Sequence, residues 1–314
     1  MLDFQQLVIC ALIPGLCVWG SIFIARRREF SCRVEIAAAI AIAVSLFAFR
    51  WLDEWNSLSG DAKTLGQSFS LAARRFWLPK EARDWLAVAF VIAAPLIALD
   101  HAWKRPRWMV IVWGSLISVT LWRFLLGSVY LDQWTLAQLT ARLISAGMLV
   151  AVASLILGIG NPESQPRGLL KRIVVAMVFV LASIVAMSSG SISGGMIGLL
   201  VAAAAGHAAI VGLVIGQGRT SPISAGFWVF ALTAVLLVGV YFSEITTTNF
   251  LLLIAATGIA GFIELRPPAT RFSRLAVALA VIASLGLAGI AAGLSITEAL
   301  DEMQKKSDNP YSSM

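Results

Sequence analysis

The feature that most constrains this chain is the stretch 173–217, 45 residues without one Asp, Glu, Lys or Arg. As a helix it would run about 66 Å, roughly twice the thickness of a bilayer's hydrocarbon core. Two crossings and a turn fit that length, and Ser188-Ser189-Gly190-Ser191-Ile192-Ser193-Gly194-Gly195 is the natural place to turn.

Apolar runs of this kind recur along the chain. Hydrophobic residues fill 59% and charged residues 13% of the 314 positions, against roughly 45–50% and 25% in a soluble domain, which excludes a water-soluble fold. Runs bounded by charges or turn residues predict ten spans, at 7–25, 34–50, 85–99, 108–127, 139–160, 173–187, 194–216, 227–242, 250–263 and 275–294. The third, sixth and ninth are short for the bilayer core and need flanking residues to complete a crossing. The expected fold class is all-α: a polytopic transmembrane helix bundle of about ten spans, one domain over 1–294, followed by a polar C-terminal tail at 295–314. Five spans would start outside and five inside, the arithmetic of an inverted repeat, though the halves share no clear sequence similarity.

Charge sets the orientation. With the N-terminus outside, the connections predicted inside carry Arg26, Arg27, Arg28 and Arg33; Lys104, Arg105 and Arg107; Arg167, Lys171 and Arg172; Arg219; and Arg266, Arg271 and Arg274. That is 14 of the 24 basic residues, and five successive connections obey the positive-inside rule. Both termini are then expected on the non-cytoplasmic side of a cell membrane. No positive charge precedes the first apolar run, and Arg26-Arg27-Arg28 follows it, the reverse of a secretory signal, so the run is expected to stay as a helix. The same basic clusters account for the net charge of +7, and no nucleic-acid partner is expected. The expected partners are the lipid bilayer and, beside it, a small solute or another membrane protein.

The one long connection, 51–84, holds an amphipathic segment at 62–78. Leu65, Phe69, Ala72 and Phe76 share one side; Lys63, Gln67, Ser70 and Arg74 share the other. Such a helix should lie flat on the outer surface, as a cover for the bundle or as a lid or docking element. Nine of the 11 tryptophans fall between Trp51 and Trp134, mostly near predicted helix ends, as interfacial anchors do. Pro14 and Pro95 sit inside spans, where each permits a kink.

Residues carrying chemistry are few. The SISGGMIGLL run followed by Gly206-His207 resembles the motifs of rhomboid-family intramembrane serine proteases over fewer than 20 residues. Ser193 and His207, 14 residues apart on one expected helix, would stand about 21 Å apart, too far for a nucleophile and its base. The same run offers a packing explanation: Gly194 and Gly198, then Gly212 and Gly216, are spaced to let another helix backbone approach, which predicts a central, tightly packed span seven. His207, near the middle of that span, is either a proton-coupling group or a neutral histidine bonded to a neighbouring helix. Arg50, Arg123 and Arg142 lie one to two turns inside the outer ends of spans two, four and five, against the orientation rule, and Asp53, Glu54, Asp132 and Glu244 share their depth. They form either ion pairs or an anion-binding vestibule. Two histidines at different depths, His101 and His207, offer no haem pair, Cys10 and Cys17 stand too far apart to bridge, and no nucleotide loop, metal motif or deep carboxylate pair appears. No cofactor, metal or catalytic group is therefore expected. The sequence favours a permease-like protein moving a small solute, and its rival is a non-catalytic membrane subunit or assembly factor.

Overall fold

The computed structural model describes residues 12–20, 33–57, 64–77, 82–103, 106–126, 133–158, 165–214, 225–242, 245–264 and 271–308. Every regular element among them is helical. They are α1 at 12–20, α2 Arg33–Ser57, α3 Leu65–Trp77, α4 Ala82–Trp103, α5 Pro106–Leu125, α6 Leu136–Gly158, α7 Gln165–Ser188, α8 Ile192–Val214, α9 Ala225–Phe242, α10 Thr247–Ile259 with a 3-10 turn at Ala260–Glu264, and α11 Arg271–Asp308.

Six helices are long and apolar enough to cross a membrane, by length and composition: Val34–Ser57, Trp108–Leu125, Leu136–Gly158, Gly168–Ser188, Gly194–Val211 and Arg274–Gln304. Three shorter apolar helices, Asp84–Leu99, Ala225–Tyr241 and Thr247–Ile263, coincide with the expected third, eighth and ninth spans. Of the expected first span only 12–20 lies within the described residues. The sixth span is longer than its apolar run because α7 begins before Lys171 and Arg172, whose long aliphatic stems let a helix continue past the charge. At the other extreme α11 does not stop at 294. Its 38 residues reach Asp308, about 57 Å of helix.

Local chemistry fixes the ends. Gly190 turns between α7 and α8 at φ 87°, a left-handed conformation that glycine adopts without strain, and Ser191 Oγ accepts from Gly194 N at 2.9 Å to cap α8. Thr64 caps α3 by accepting from Gln67 N at 3.3 Å. Thr246 caps α10 by accepting from Asn249 N.

The α7–α8 hairpin is the most closely packed pair, and α2 with α4, α5 with α6, and α11 with α10 and α7 form the next layer of contacts. At the centre stands α9. Residues 225–239 are all buried, and the helix touches α4, α5, α6, α7, α8 and α10. Phe90 of α4 and Trp113 of α5 stack edge-on or tilted against its Phe227 and Phe230, with ring centroids 5.8 to 6.2 Å apart. The central place expected for span seven therefore goes to span eight. The reason is that α8 presents Ile192, Ile210 and Val214 outward, all more than half exposed, while α9 keeps no outward face over that stretch.

Candidate functional site

A group of charged residues closes the bundle where α2 ends and α4 begins, beneath α3. Arg50 Nε lies 3.2 Å from Glu54 Oε1, one turn further along α2, and 3.6 Å from Asp84 Oδ1 in the first turn of α4. Arg75 of α3 reaches the same Glu54 oxygen at 3.0 Å. Arg50, Glu54 and Asp84 are each at most 6% exposed. Among the described residues, two guanidinium groups meet two carboxylates here, the arrangement of a buried ion-pair network. Of the acids the sequence offered to Arg50, Glu54 lies against it, and Asp84 joins from α4.

The same network seats α3. Trp51 Nε1 donates to Ser68 Oγ at 2.8 Å, Phe69 packs edge-on against Phe47 and Trp51, and Phe76 packs against Phe47. Ala72 is fully buried, whereas Leu65 is 63% exposed.

The other arginines sit on aromatic rings. The Arg123 guanidinium carbon is 5.6 Å from the centroid of Trp85, the neighbour of Asp84, and that of Arg142 is 4.0 Å from Trp134. Both are cation–π contacts, in which the ring face stabilises the charge at the edge of an apolar region. Of the remaining acids expected at that depth, Asp53 lies on α2 beside Glu54, and Asp132 and Glu244 lie outside the described residues.

His207 is half-buried on α8, facing α1. Trp19 Nε1 donates to His207 Nδ1 at 3.3 Å. Because an indole N–H only donates, Nδ1 carries no proton in this pairing. A Cβ built on Gly15, one turn before Trp19, would stand 3.0 Å from His207 Nε2, so the imidazole is closed in by helix α1 on two sides.

The glycines of α8 press on α7. A Cβ at Gly198 would lie 2.6 Å from Ser183 Oγ and 3.1 Å from Ser183 Cα, and one at Gly195 would run into the Met187 side chain. A Cβ at Gly194 would meet Ser191 Oγ at 2.6 Å, within its own cap. Gly212 sits near the end of α8, and Gly216 lies outside the described residues. Sequence spacing missed a backbone-to-backbone contact between α5 and α6. A Cβ on Gly114 would come within 2.7 Å of Gly147 O, and Ser118 Oγ donates across the same gap to Leu143 O at 2.8 Å.

At the opposite end of the bundle the structure buries charges the sequence did not single out for burial. Glu35 in the first turn of α2 is 4% exposed and Lys171 of α7 is 2% exposed. Glu35 and Arg172 share the wall of a cavity of about 10 Å³ with Val175, Ala205, Ala208, Ala209 and Trp228. That volume holds one water molecule at most. Among the described residues no three His, Cys, Asp or Glu side chains gather where they could hold a metal.

No protein-family model, curated protein or solved structure matches this chain.

Proposed function

We propose that the chain is a non-catalytic membrane subunit or assembly factor: a ten-span bundle of the cell membrane with both termini on the non-cytoplasmic side, whose work is lateral association with other membrane protein. One observation carries this reading. Several polar side chains that a solute path would need are engaged between helices instead, whereas the Asn249 amide and the Ser154 hydroxyl are buried without a hydrogen-bond partner. His207 is bonded to Trp19, Arg50 is paired with Glu54 and Asp84, and Ser118 is bonded to the Leu143 carbonyl. Ser284 Oγ likewise donates to Ala256 O at 2.7 Å, and the Ser188 and Ser295 hydroxyls meet at 2.7 Å.

Magnitudes support the same choice over the permease-like reading. The cavity beside α8, at about 10 Å³, is far below the roughly 300 Å³ at which small-molecule sites begin, and the larger hollows, about 430 Å³ between α7 and α11 and about 930 Å³ between α11 and the α7–α8 turn, are lined by none of His207, Arg50, Arg123 and Arg142. Burial is uneven in the way a subunit requires: the apolar window of α8 is 72% buried, whereas those of α6 and α11 are 33% and 28% buried. Those two helices carry the least buried apolar windows of the six.

Reconstitution of the purified chain into vesicles holding a pH-sensitive dye tests the proposal. Acid or small-anion pulses should leave these vesicles as tight as protein-free ones. A flux that His207→Gln or Arg50→Gln abolishes would overturn the subunit reading in favour of a permease.

A further inference from the structure

Helix α1 is docked on α8 through a titratable ring. His207 is the only titratable side chain of α8, and its Nδ1 accepts from Trp19 Nε1 at 3.3 Å. Gly15, one turn earlier on α1, lies against the same imidazole: a Cβ there would stand 3.0 Å from Nε2, 3.1 Å from Cε1 and 3.6 Å from Cδ2. Val18, between the two contacts, is fully buried. No carboxylate, hydroxyl or amide side chain occurs at 12–20, where Cys17 is the one titratable residue.

The charges that approach α8 do so from its other side. The helix packs against α7, α2 and α9 as well as α1. Gly198 marks the face turned to α7, through Ser183, and the nine residues from there to His207 carry the helix about half a turn round from that face. Lys171 and Arg172 come from α7, and Glu35 from the first turn of α2. Glu35 and Arg172 meet α8 at a cavity shared with Ala205, Ala208 and Ala209, and the first and last of these lie about 160° around the helix from His207. The further charges of α2, Arg50, Asp53 and Glu54, begin 15 residues beyond Glu35, about 22 Å along the axis. The only titratable residue of α9 is Tyr241, which packs on Trp134. Among the described side chains, therefore, no charged group shares the face of α8 that α1 covers.

We propose that the His207–Trp19 pair is a pH-sensitive clasp, which holds α1 on α8 while the imidazole is neutral and releases it when the imidazole takes up a proton. Imidazole is the side chain that ordinarily changes charge between pH 5 and 8. A proton on Nδ1 turns the acceptor into a donor facing the donor of Trp19, and the bond is lost. Flipping the ring does not restore it, because a carbon then stands where Nδ1 stood. Losing one hydrogen bond weakens an equilibrium by a factor of about two to ten. A second effect has the same sign. An imidazolium enclosed by a helix that offers it neither carboxylate nor hydroxyl is an unpaired charge in an apolar setting, and moving α1 away relieves it. Proton uptake and docking of α1 therefore compete, each weakening the other by the same factor. The clasp is closed at high pH and opens as the pH falls. It stands apart from the lateral-association reading, which a vesicle flux would remove without touching the clasp.

The experiment uses the full chain in vesicles, with Cys10, Cys17 and Cys32 replaced by Ala and nitroxide labels on Leu16→Cys and Ile210→Cys, two positions 71% and 51% exposed. Electron paramagnetic resonance reads the distance between α1 and α8 at pH 8 and at pH 5. The parent should show one short distance at pH 8 and, at pH 5, a longer one whose population is at least about three times larger than before. His207→Gln keeps an acceptor for Trp19 but takes up no proton, and its distances should be the same at both pH values. Trp19→Phe keeps a ring and loses the donor, so the longer distance should already be raised at pH 8. A parent whose distances ignore pH, a His207→Gln chain that responds as the parent does, or a Trp19→Phe chain identical to the parent at pH 8 would each overturn the proposal.

Discussion

Glycine-to-alanine substitutions at two places on α8 should act in opposite directions. At Gly198 the new Cβ would stand 2.6 Å from Ser183 Oγ and 3.1 Å from Ser183 Cα, against the 3.4 to 4 Å of ordinary contact. The serine hydroxyl has no easy way out, because it donates to Phe179 O at 2.7 Å within a fully buried site. Turning it aside gives up that bond, about 1 kcal/mol. Pushing the α7 backbone away instead overpacks the tightest helix pair, at about 1–3 kcal/mol. Gly198→Ala should therefore destabilise by about 1–3 kcal/mol. At Gly206, two turns further along the same helix, a Cβ meets nothing within 4 Å, and removing glycine's conformational freedom should leave stability unchanged or raise it by up to about 1 kcal/mol. Unfolding in a graded series of SDS fractions, followed by helical circular dichroism, reads both. Midpoints that shift equally, or a larger loss at Gly206, would refute the contact geometry of α7 and α8.

Two further outcomes are expected. Arg50→Gln leaves Glu54 and Asp84 buried with one cation fewer and should destabilise by about 3–5 kcal/mol, and adding Asp84→Asn should recover part of the loss; the same SDS series measures both. Reporters fused after Gly218 and after Arg271 should read cytoplasmic and one at the C-terminus should read non-cytoplasmic, so a cytoplasmic C-terminus would remove a span from the proposed topology.

Where the sequence was informative, the signal was local. The uncharged stretch 173–217 required a turn near its middle, and α7 and α8 meet at Gly190. Hydropathy also marked the apolar part of α11, but the helix goes on to Asp308. Loss of hydropathy reports where a segment leaves lipid, while Thr297 to Lys306 hold good helix formers that keep the backbone turning. Pairings between distant segments left no such trace. Gly114 and Gly147 touch across α5 and α6, yet two glycines on different helices create no periodicity. Burial of charge was equally silent: Glu35 and Lys171 read as ordinary helix-end residues, and only the arrival of other helices hides them. The partners of Arg50 were half legible, since Glu54 is one turn away but Asp84 comes from the far side of the long connection.

The position of α9 has a consequence for how the protein is made. Five of the helices it touches, α4 through α8, precede it in the chain, and its Phe227 and Phe230 complete the ring cluster begun by Phe90 and Trp113. During synthesis those earlier helices enter the membrane with their shared inner surface still empty, held together by neighbour contacts such as the α7–α8 hairpin. Closure waits until about residue 242 has been inserted, so a nascent chain stalled short of that length has no keystone, and the ribosome delivers most of the protein before the bundle can lock.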